Sequence, residues 1–122
     1  MSEIRGSEKV SAKLGRFSPS AFKIVEKLAF FAADVESTRY DLDIVLLTDK
    51  STMQYRVSIR FENVIGLKVK DFGGGLTQVM GLYIQDISEK GWDRQNWEIG
   101  DFEHSVISFR CRDLYISSCE AV

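Results

Sequence analysis

The sequence has little of the residue types that build covalent scaffolds, metal centres and membrane spans. It contains two cysteines, one histidine and one proline in 122 residues. The two cysteines are too few for the disulfide framework of a small secreted domain, and residues 1–10 contain no apolar export signal. Every strongly apolar run is far shorter than the ~20 residues that cross a bilayer. These absences predict a cytoplasmic protein with free thiols and no membrane association.

Positive charge is not in excess either. The formal net charge is −2, whereas proteins that bind nucleic acid or anionic membranes need clustered positive potential. We therefore expect no nucleic-acid partner. The charge is unevenly distributed: residues 1–84 carry twelve Lys/Arg and ten Asp/Glu, a net +2, and residues 85–122 carry four and eight, a net −4. The C-terminal third is the acidic part of the chain.

Catalytic and metal-ligating patterns are missing from the sequence. His104 is the only histidine, and it stands beside Glu103 in a polar segment typical of a turn. Residues 73–75 are three glycines, but the Lys-Ser/Thr pair of a phosphate loop does not follow them, which favours a hairpin loop. Cys111 and Cys119 are interpreted as small buried apolar residues, although pairing of their two strands could bring them together. We predict no catalytic residue, no metal site and no cofactor.

The length of 122 residues is typical of a single domain. Residues 1–17 mix Ser, Gly, Glu, Lys and Arg with isolated apolar residues, so we interpret them as a mobile N-terminal leader that could carry a short helix. Residues 18–122 are predicted to form one β-rich domain.

Residues 19–33 fit two structures. Ser18-Pro19 resembles a helix start, and apolar residues from Ala21 to Ala32 recur at helical spacing. The aromatic and β-branched content and the imperfect alternation from Phe22 to Phe30 favour a strand instead. The sequence alone does not distinguish helix from strand for residues 19–33.

From Tyr40 onward apolar and polar residues alternate with period two. The clearest case places Tyr55, Val57, Ile59 and Phe61 on one face of a half-buried strand. The other predicted strands are Tyr40–Leu46, Ile65–Val69, Val79–Asp86, Trp97–Phe102, Val106–Cys111 and Leu114–Ser118. Their connections are too short for crossover helices, so we predict a mainly β fold: an antiparallel sandwich or partly open barrel of about seven to eight strands. The strand beginning at Tyr40 is expected to pair with the strand beginning at Tyr55.

Acidic residues lie close to two tryptophans in the C-terminal third. Carboxylates around large aromatic rings can steer and anchor a partner protein. The residues predicted to bind a partner are Asp86, Glu89, Trp92, Asp93, Glu98, Asp101 and Glu103. The alternative interpretation is that these charges keep a β protein dissolved and protect its sheet edges, with Trp92 and Trp97 in the core.

The rhythm of strand residues from Tyr40 to Ile116 is similar to that of a known class of bacterial proteins. It includes Phe61-Glu62-Asn63-Val64, Phe72-Gly73-Gly74, Gly91-Trp92, Trp97-Glu98-Ile99 and the stretch from Ile107 to Ile116. It resembles predicted immunity proteins of polymorphic-toxin and contact-dependent-inhibition systems. The resemblance implies a non-enzymatic protein that binds one cognate toxin domain and blocks its active site.

Two other functions are compatible with the residues. A small β-barrel could bind an apolar molecule in a lumen lined by Phe61, Tyr83 and Phe109. A hydrolase would have to use His104. A homodimer through an exposed edge strand is a further arrangement that the fold permits.

Overall fold

The computed structural model describes residues 4–36, 38–49, 53–75, 77–91, 95–102 and 106–122. Within these ranges the chain forms one helix, two 3-10 turns and nine strands. The elements are α1 (Ser7–Leu14), a first 3-10 turn (Pro19–Ala21), β1 (Phe22–Asp34), β2 (Arg39–Thr48), β3 (Tyr55–Glu62), β4 (Ile65–Val69), β5 (Thr77–Gln78), β6 (Leu82–Asp86), a second 3-10 turn (Ser88–Lys90), β7 (Trp97–Asp101), β8 (Ile107–Cys111) and β9 (Asp113–Ala121). None of the helical segments in this part of the chain has the length and apolar character required to span a bilayer.

The strands form two separate sheets. Sheet A has five strands in the order β5-β1-β2-β3-β9, and sheet B has four in the order β4-β8-β7-β6. Neighbouring strands within each sheet are antiparallel. The predicted mainly β, antiparallel, sandwich-like fold is confirmed, and the strands do not close into one barrel.

β3 shows why the period-two pattern identifies a strand so well. It lies between β2 and β9, and its Val57, Ile59 and Phe61 are buried while the intervening residues are half-buried. Phe61 packs edge-on against Phe109 of sheet B, with ring centroids 4.9 Å apart. Alternate side chains of a strand point to opposite sides, so one side of β3 enters the core between the sheets. The predicted pairing of this strand with the strand containing Tyr40 is confirmed by β2 and β3.

Residues 22–34 form a strand, so the possible helix near residues 19–33 is wrong. Only the Ser18-Pro19 start is helical, and it ends after one 3-10 turn at Ala21. β1 pairs along its length with β2, but the register shifts between Phe22 and Ile24 and again between Val25 and Lys27. Such bulges place two successive residues on one side of a strand. As a result Phe22, Val25 and Leu28, three residues apart, face the core, and this spacing resembles that of a helix.

Consecutive strands β8 and β9 belong to different sheets. A single residue, Arg112, separates them; β8 pairs with β4 and β7, whereas β9 pairs with β3. Cys111 is opposite Trp97 in sheet B, and Cys119 is opposite Val57 in sheet A. Both thiols are buried and free, as predicted. The expectation that pairing of their strands could bring the cysteines together is wrong, because the chain changes sheet between them.

The N-terminal segment packs against the outer edge of sheet A. Arg5 forms a parallel bridge with Tyr115, and its carbonyl oxygen accepts a hydrogen bond of 2.8 Å from the Ile116 amide. Helix α1 follows, and its Val10 is fully buried in the core. The short helix allowed by the sequence is present. Mobility of residues 1–17 stays a prediction, but within the described residues this segment contributes a core side chain and covers the edge of β9.

Candidate functional site

A groove of about 1000 Å³ lies between the N-terminal segment and the outer edge of β6. Such a volume is within the range of pockets that bind ligands or partner side chains. Three parts of the chain form it: residues 4–19, β6, and the ends of β7. Its lining residues are Ile4, Ser7, Glu8, Ser11, Phe17, Pro19, Tyr83, Ile84, Gln85, Asp86, Trp97 and Phe102.

The groove combines apolar surface with negative charge. Phe102 is 76% exposed, while Trp97 is only 7% exposed and forms part of the floor. Glu8 and Asp86 are the charged residues of the lining, which includes no lysine or arginine among the residues that the structure describes. An apolar surface with carboxylates at its margin favours a partner that offers apolar side chains together with positive charge.

Asp86 occupies the end of β6, opposite Trp97 of β7. Its Oδ1 accepts hydrogen bonds from the Ser88 backbone N–H at 2.9 Å and from the Ser88 hydroxyl at 2.6 Å. These bonds start the second 3-10 turn, so Asp86 organises the backbone at the end of the groove as well as supplying charge.

Tyr83 forms the corner where the groove meets the outer face of sheet B. Its ring lies 4.6 Å from the Phe102 ring, and its hydroxyl donates to Glu98 Oε1 at 3.2 Å. Burial, and then the nearby Glu98 charge, raise the pKa of Tyr83. Gly100 lies under this ring: a Cβ there would come within 2.7 Å of the Tyr83 hydroxyl oxygen. Glycine at this position therefore allows Tyr83 to lie flat across β7 and support Phe102.

The four predicted acidic residues that the structure describes do not share one surface. Asp86 borders the groove, and Glu89 is exposed in the turn that follows it. Glu98 points to the outer face of sheet B, where Arg110 Nε donates to its Oε2 at 3.4 Å. Asp101 is 6% exposed and accepts the Ile107 N–H at 3.0 Å, which ends the ladder between β7 and β8. The odd spacing between Glu98 and Asp101 places them on opposite sides of β7.

Trp92, Asp93, Glu103 and His104 lie outside the described residues. In the described part of the chain, no group of three or more His, Cys, Asp or Glu side chains could hold a metal ion.

Two of the three residues proposed for a ligand-binding lumen, Tyr83 and Phe109, line a pocket of about 330 Å³ on sheet B, and Phe61 is not in its lining. Phe61 and Phe109 contact each other in the buried core between the sheets. Tyr83 lies outside this core, on the groove and the outer face of sheet B. Phe61 packs in the core, so the three rings do not line this pocket together.

The wall of the groove that comes from residues 4–19 was not predicted from the sequence. Ile4, Glu8 and Phe17 belong to the segment interpreted as a leader. The available signal was the spacing of Val10, Leu14 and Phe17, which repeats at i, i+4 and i+7 and indicates one apolar helix face. Val10 is buried, and Leu14 and Phe17 pack against the core.

The outer face of sheet A carries paired charges. Arg56 forms two hydrogen bonds with Glu26, at 2.7 and 3.0 Å, and Arg60 pairs with Asp43. The partnership with Arg56 lowers the pKa of Glu26, chiefly through the side-chain hydrogen bond. These carboxylates are already compensated by neighbouring cations, which reduces the net potential of this face.

Comparison with known proteins assigns the chain to a family. No curated protein and no solved structure matches it. The family model of immunity protein PIM8 matches residues 10–117. This range begins within α1, includes β1 to β8 completely and ends within β9. Because the match covers most of the chain, including the core of both sheets, the chain belongs to the PIM8 family of immunity proteins.

Proposed function

We propose that the protein binds a cognate toxin domain and neutralises it, and that the groove beside β6 is the centre of the contact surface. The observation that carries this proposal is the combination in one groove of exposed Phe102, a tryptophan floor and carboxylates at its margin. Membership of an immunity protein family supports a protein as the partner.

Phe102 has the properties of an interface anchor. Most of its ring is accessible, yet its contact with Tyr83 holds it in one orientation. Aromatic residues that are pre-positioned in this way lose little conformational entropy on binding and are frequent among the residues that dominate binding energy. A partner that covers Phe102 would bury apolar surface that the protein alone leaves in water.

Negative charge near the anchor favours a basic partner. Toxin domains that cleave nucleic acid need a positively charged cleft to hold phosphates. Glu8 and Asp86 in the groove, together with exposed Glu89, would attract such a cleft and increase the association rate at low salt. Glu98 and Asp101 support the fold in this proposal, and Trp92, Asp93 and Glu103 remain predicted contributors.

The proposal is tested with the toxin domain encoded beside the gene for this protein. Phe102→Ala is expected to weaken binding by about 2 kcal/mol, or roughly 30-fold in Kd, as is typical of an aromatic anchor. Phe30→Ala is the matched control, because Phe30 is also an exposed ring (44%) but lies on β1 and is not part of the groove. Equal Kd values for Phe102→Ala and the unchanged protein would contradict the proposal.

Charge reversal tests the electrostatic part. Glu8→Lys and Glu89→Lys are each expected to lower the association rate several-fold at low ionic strength, with the difference shrinking as salt is added. Glu36→Lys changes the net charge equally, but Glu36 is in the turn after β1 and does not line the groove. If Glu36→Lys slowed association as much as Glu8→Lys, the effect would come from total charge and not from the groove.

A further inference from the structure

We infer that the occupant of this groove is an extended segment of the toxin, which adds to sheet B as a fifth strand along the edge of β6. This inference rests on the proposed function and specifies the chemistry of the partner at the same site. It follows from the hydrogen-bonding state of β6, from the other sheet edges and from the groove lining.

The outer edge of β6 has backbone groups available for a new ladder. Hydrogen bonds join Phe102 N–H to the Gly81 carbonyl at 3.2 Å and Ile87 N–H to the Asn96 carbonyl at 2.8 Å. In an antiparallel pair, residues alternate between bonding the neighbouring strand and facing away from it. With Gly81 and Ile87 facing β7, the alternation turns the N–H and C=O groups of Leu82 and Ile84 towards the outer edge. Within the described residues, no backbone hydrogen bond connects these two residues to another segment.

Two other edges of the two sheets carry protective features that β6 lacks, and the first 3-10 turn (Pro19–Ala21) lies close to β6 without replacing them. Arg5 bridges the outer edge of β9. β4, at the opposite edge of sheet B, is interrupted by a register shift between Ile65 and Lys68 and carries exposed Lys68. Bulges and lysines are common devices against unwanted strand pairing. β6 is regular along its five residues and contains no lysine, proline or glycine, so it retains the features of a pairing template.

The lining of the groove defines the segment that fits beside this edge. Side chains on one side of an added strand would face Ile84, Trp97 and Phe17, so they should be apolar. Lysine or arginine in the same segment would lie near Glu8 or Asp86. The expected ligand is therefore a short extended stretch in which apolar residues are combined with basic ones, bound by main-chain hydrogen bonds for affinity and by side chains for specificity.

A proline at position 84 tests the ladder directly. Ile84→Pro removes the outward N–H without removing a bond to β7, and edge strands tolerate proline at such positions. The matched control is Val69→Pro on β4. The Lys70 amide bonds the Val106 carbonyl at 2.9 Å, so the alternation directs the Val69 N–H away from β8. Ile84→Pro is expected to raise the Kd for the toxin domain encoded by the adjacent gene at least tenfold, and Val69→Pro to leave it within twofold.

Amide hydrogen exchange of the unaltered protein gives a second readout that does not depend on how Ile84→Pro folds. Forming the complex should slow exchange of the Ile84 amide at least tenfold, whereas the Val69 amide should keep its rate. Tight binding without protection of Ile84 would overturn strand addition and leave toxin neutralisation intact. Absence of binding to the toxin domain would instead overturn the proposed function, and the strand-addition inference with it.

Discussion

Gly6 is the position where one added methyl group should separate the N-terminal segment from sheet A. Its φ is +82°, and a Cβ built on it would lie 2.2 Å from the Ile116 carbonyl oxygen. That oxygen belongs to the backbone of β9, so no side-chain rotation can relieve the overlap. Gly6→Ala should therefore force residues 4–14 away from the strand.

The chain contains a matched control for the backbone conformation alone. Gly15 has nearly the same φ, +84°, but no atom lies within 4 Å of a Cβ placed there. Alanine in this left-handed region costs about 1–2 kcal/mol, so Gly15→Ala should destabilise the protein by about 1 kcal/mol. Both substitutions carry this cost, and the difference between them isolates the close approach of Gly6 to β9.

The loss of stability expected for Gly6→Ala also includes the interactions that residues 4–14 lose when they move away from β9. The hydrogen bond from the Ile116 amide to the Arg5 carbonyl contributes about 1 kcal/mol. Re-exposure of Val10, which is fully buried, costs about 1.5–3 kcal/mol. Together with the backbone term, Gly6→Ala should lower the free energy of unfolding by about 4 kcal/mol, a large part of the stability of a small domain.

Urea unfolding followed by tryptophan fluorescence measures both free energies, and amide exchange locates the change. The Ile116 amide should exchange much faster in Gly6→Ala and at an unchanged rate in Gly15→Ala. If the two variants lost the same stability and Ile116 stayed protected in both, the close packing of residues 4–14 on β9 would be refuted.

Three further results are expected. Asp101→Leu should lower the free energy of unfolding by about 1–3 kcal/mol, because it leaves the Ile107 amide without its acceptor. Asp101→Asn keeps an acceptor oxygen and should lower it by less than half as much. Equal losses of the two variants in chemical denaturation would contradict this role of Asp101. Burial raises the pKa of Cys111, so the folded state keeps a proton that the unfolded chain releases above about pH 8.5. The free energy of unfolding should fall as pH rises past that value, and Cys111→Ala should make this fall smaller. Urea unfolding at neutral and alkaline pH measures the dependence of the free energy of unfolding on pH. An equal dependence in the variant and the unchanged protein would contradict the role given to Cys111. Gly100→Ala should lower the free energy of unfolding by about 1–3 kcal/mol, because the added methyl group displaces the Tyr83 ring. In a double-mutant cycle, the loss caused by Gly100→Ala should be smaller when Tyr83 is already alanine. Strictly additive losses would show that the two positions do not interact.

Strand positions were predictable from the sequence wherever apolar and polar residues alternate without interruption. β3, with Val57, Ile59 and Phe61 on the core side, follows directly from its sequence because every second residue is buried. β1 was ambiguous because its bulges space the core-facing residues Phe22, Val25 and Leu28 three apart, a pattern that helices also produce. A strand is recognised in a sequence by regular alternation of apolar and polar residues. Bulges near the start of a strand interrupt this alternation, so such a strand is harder to recognise.

The groove could not be predicted as a site, because distant parts of the chain form it. The acidic character near Asp86 was visible in the sequence, but strand alternation sends Glu98 and Asp101 to opposite sides of β7. Glu8 and Phe17 were overlooked since they precede the first strand. Counting charge along the chain shows how much is present in a region, while the pleat of each strand and the docking of α1 decide which charges share a surface.

The place of β9 at the edge of sheet A has a consequence for synthesis. β9 is the only pairing partner of β3 on that side, and the ladder joins Ser58 to Ser118, so about sixty residues separate the two halves of the contact. While the ribosome is still making residues 63–112, the nascent chain holds β3 with a bare apolar edge that invites pairing with neighbouring chains. Sheet A can therefore be completed only after β9 has been synthesised, and until then the nascent chain is exposed to such pairing.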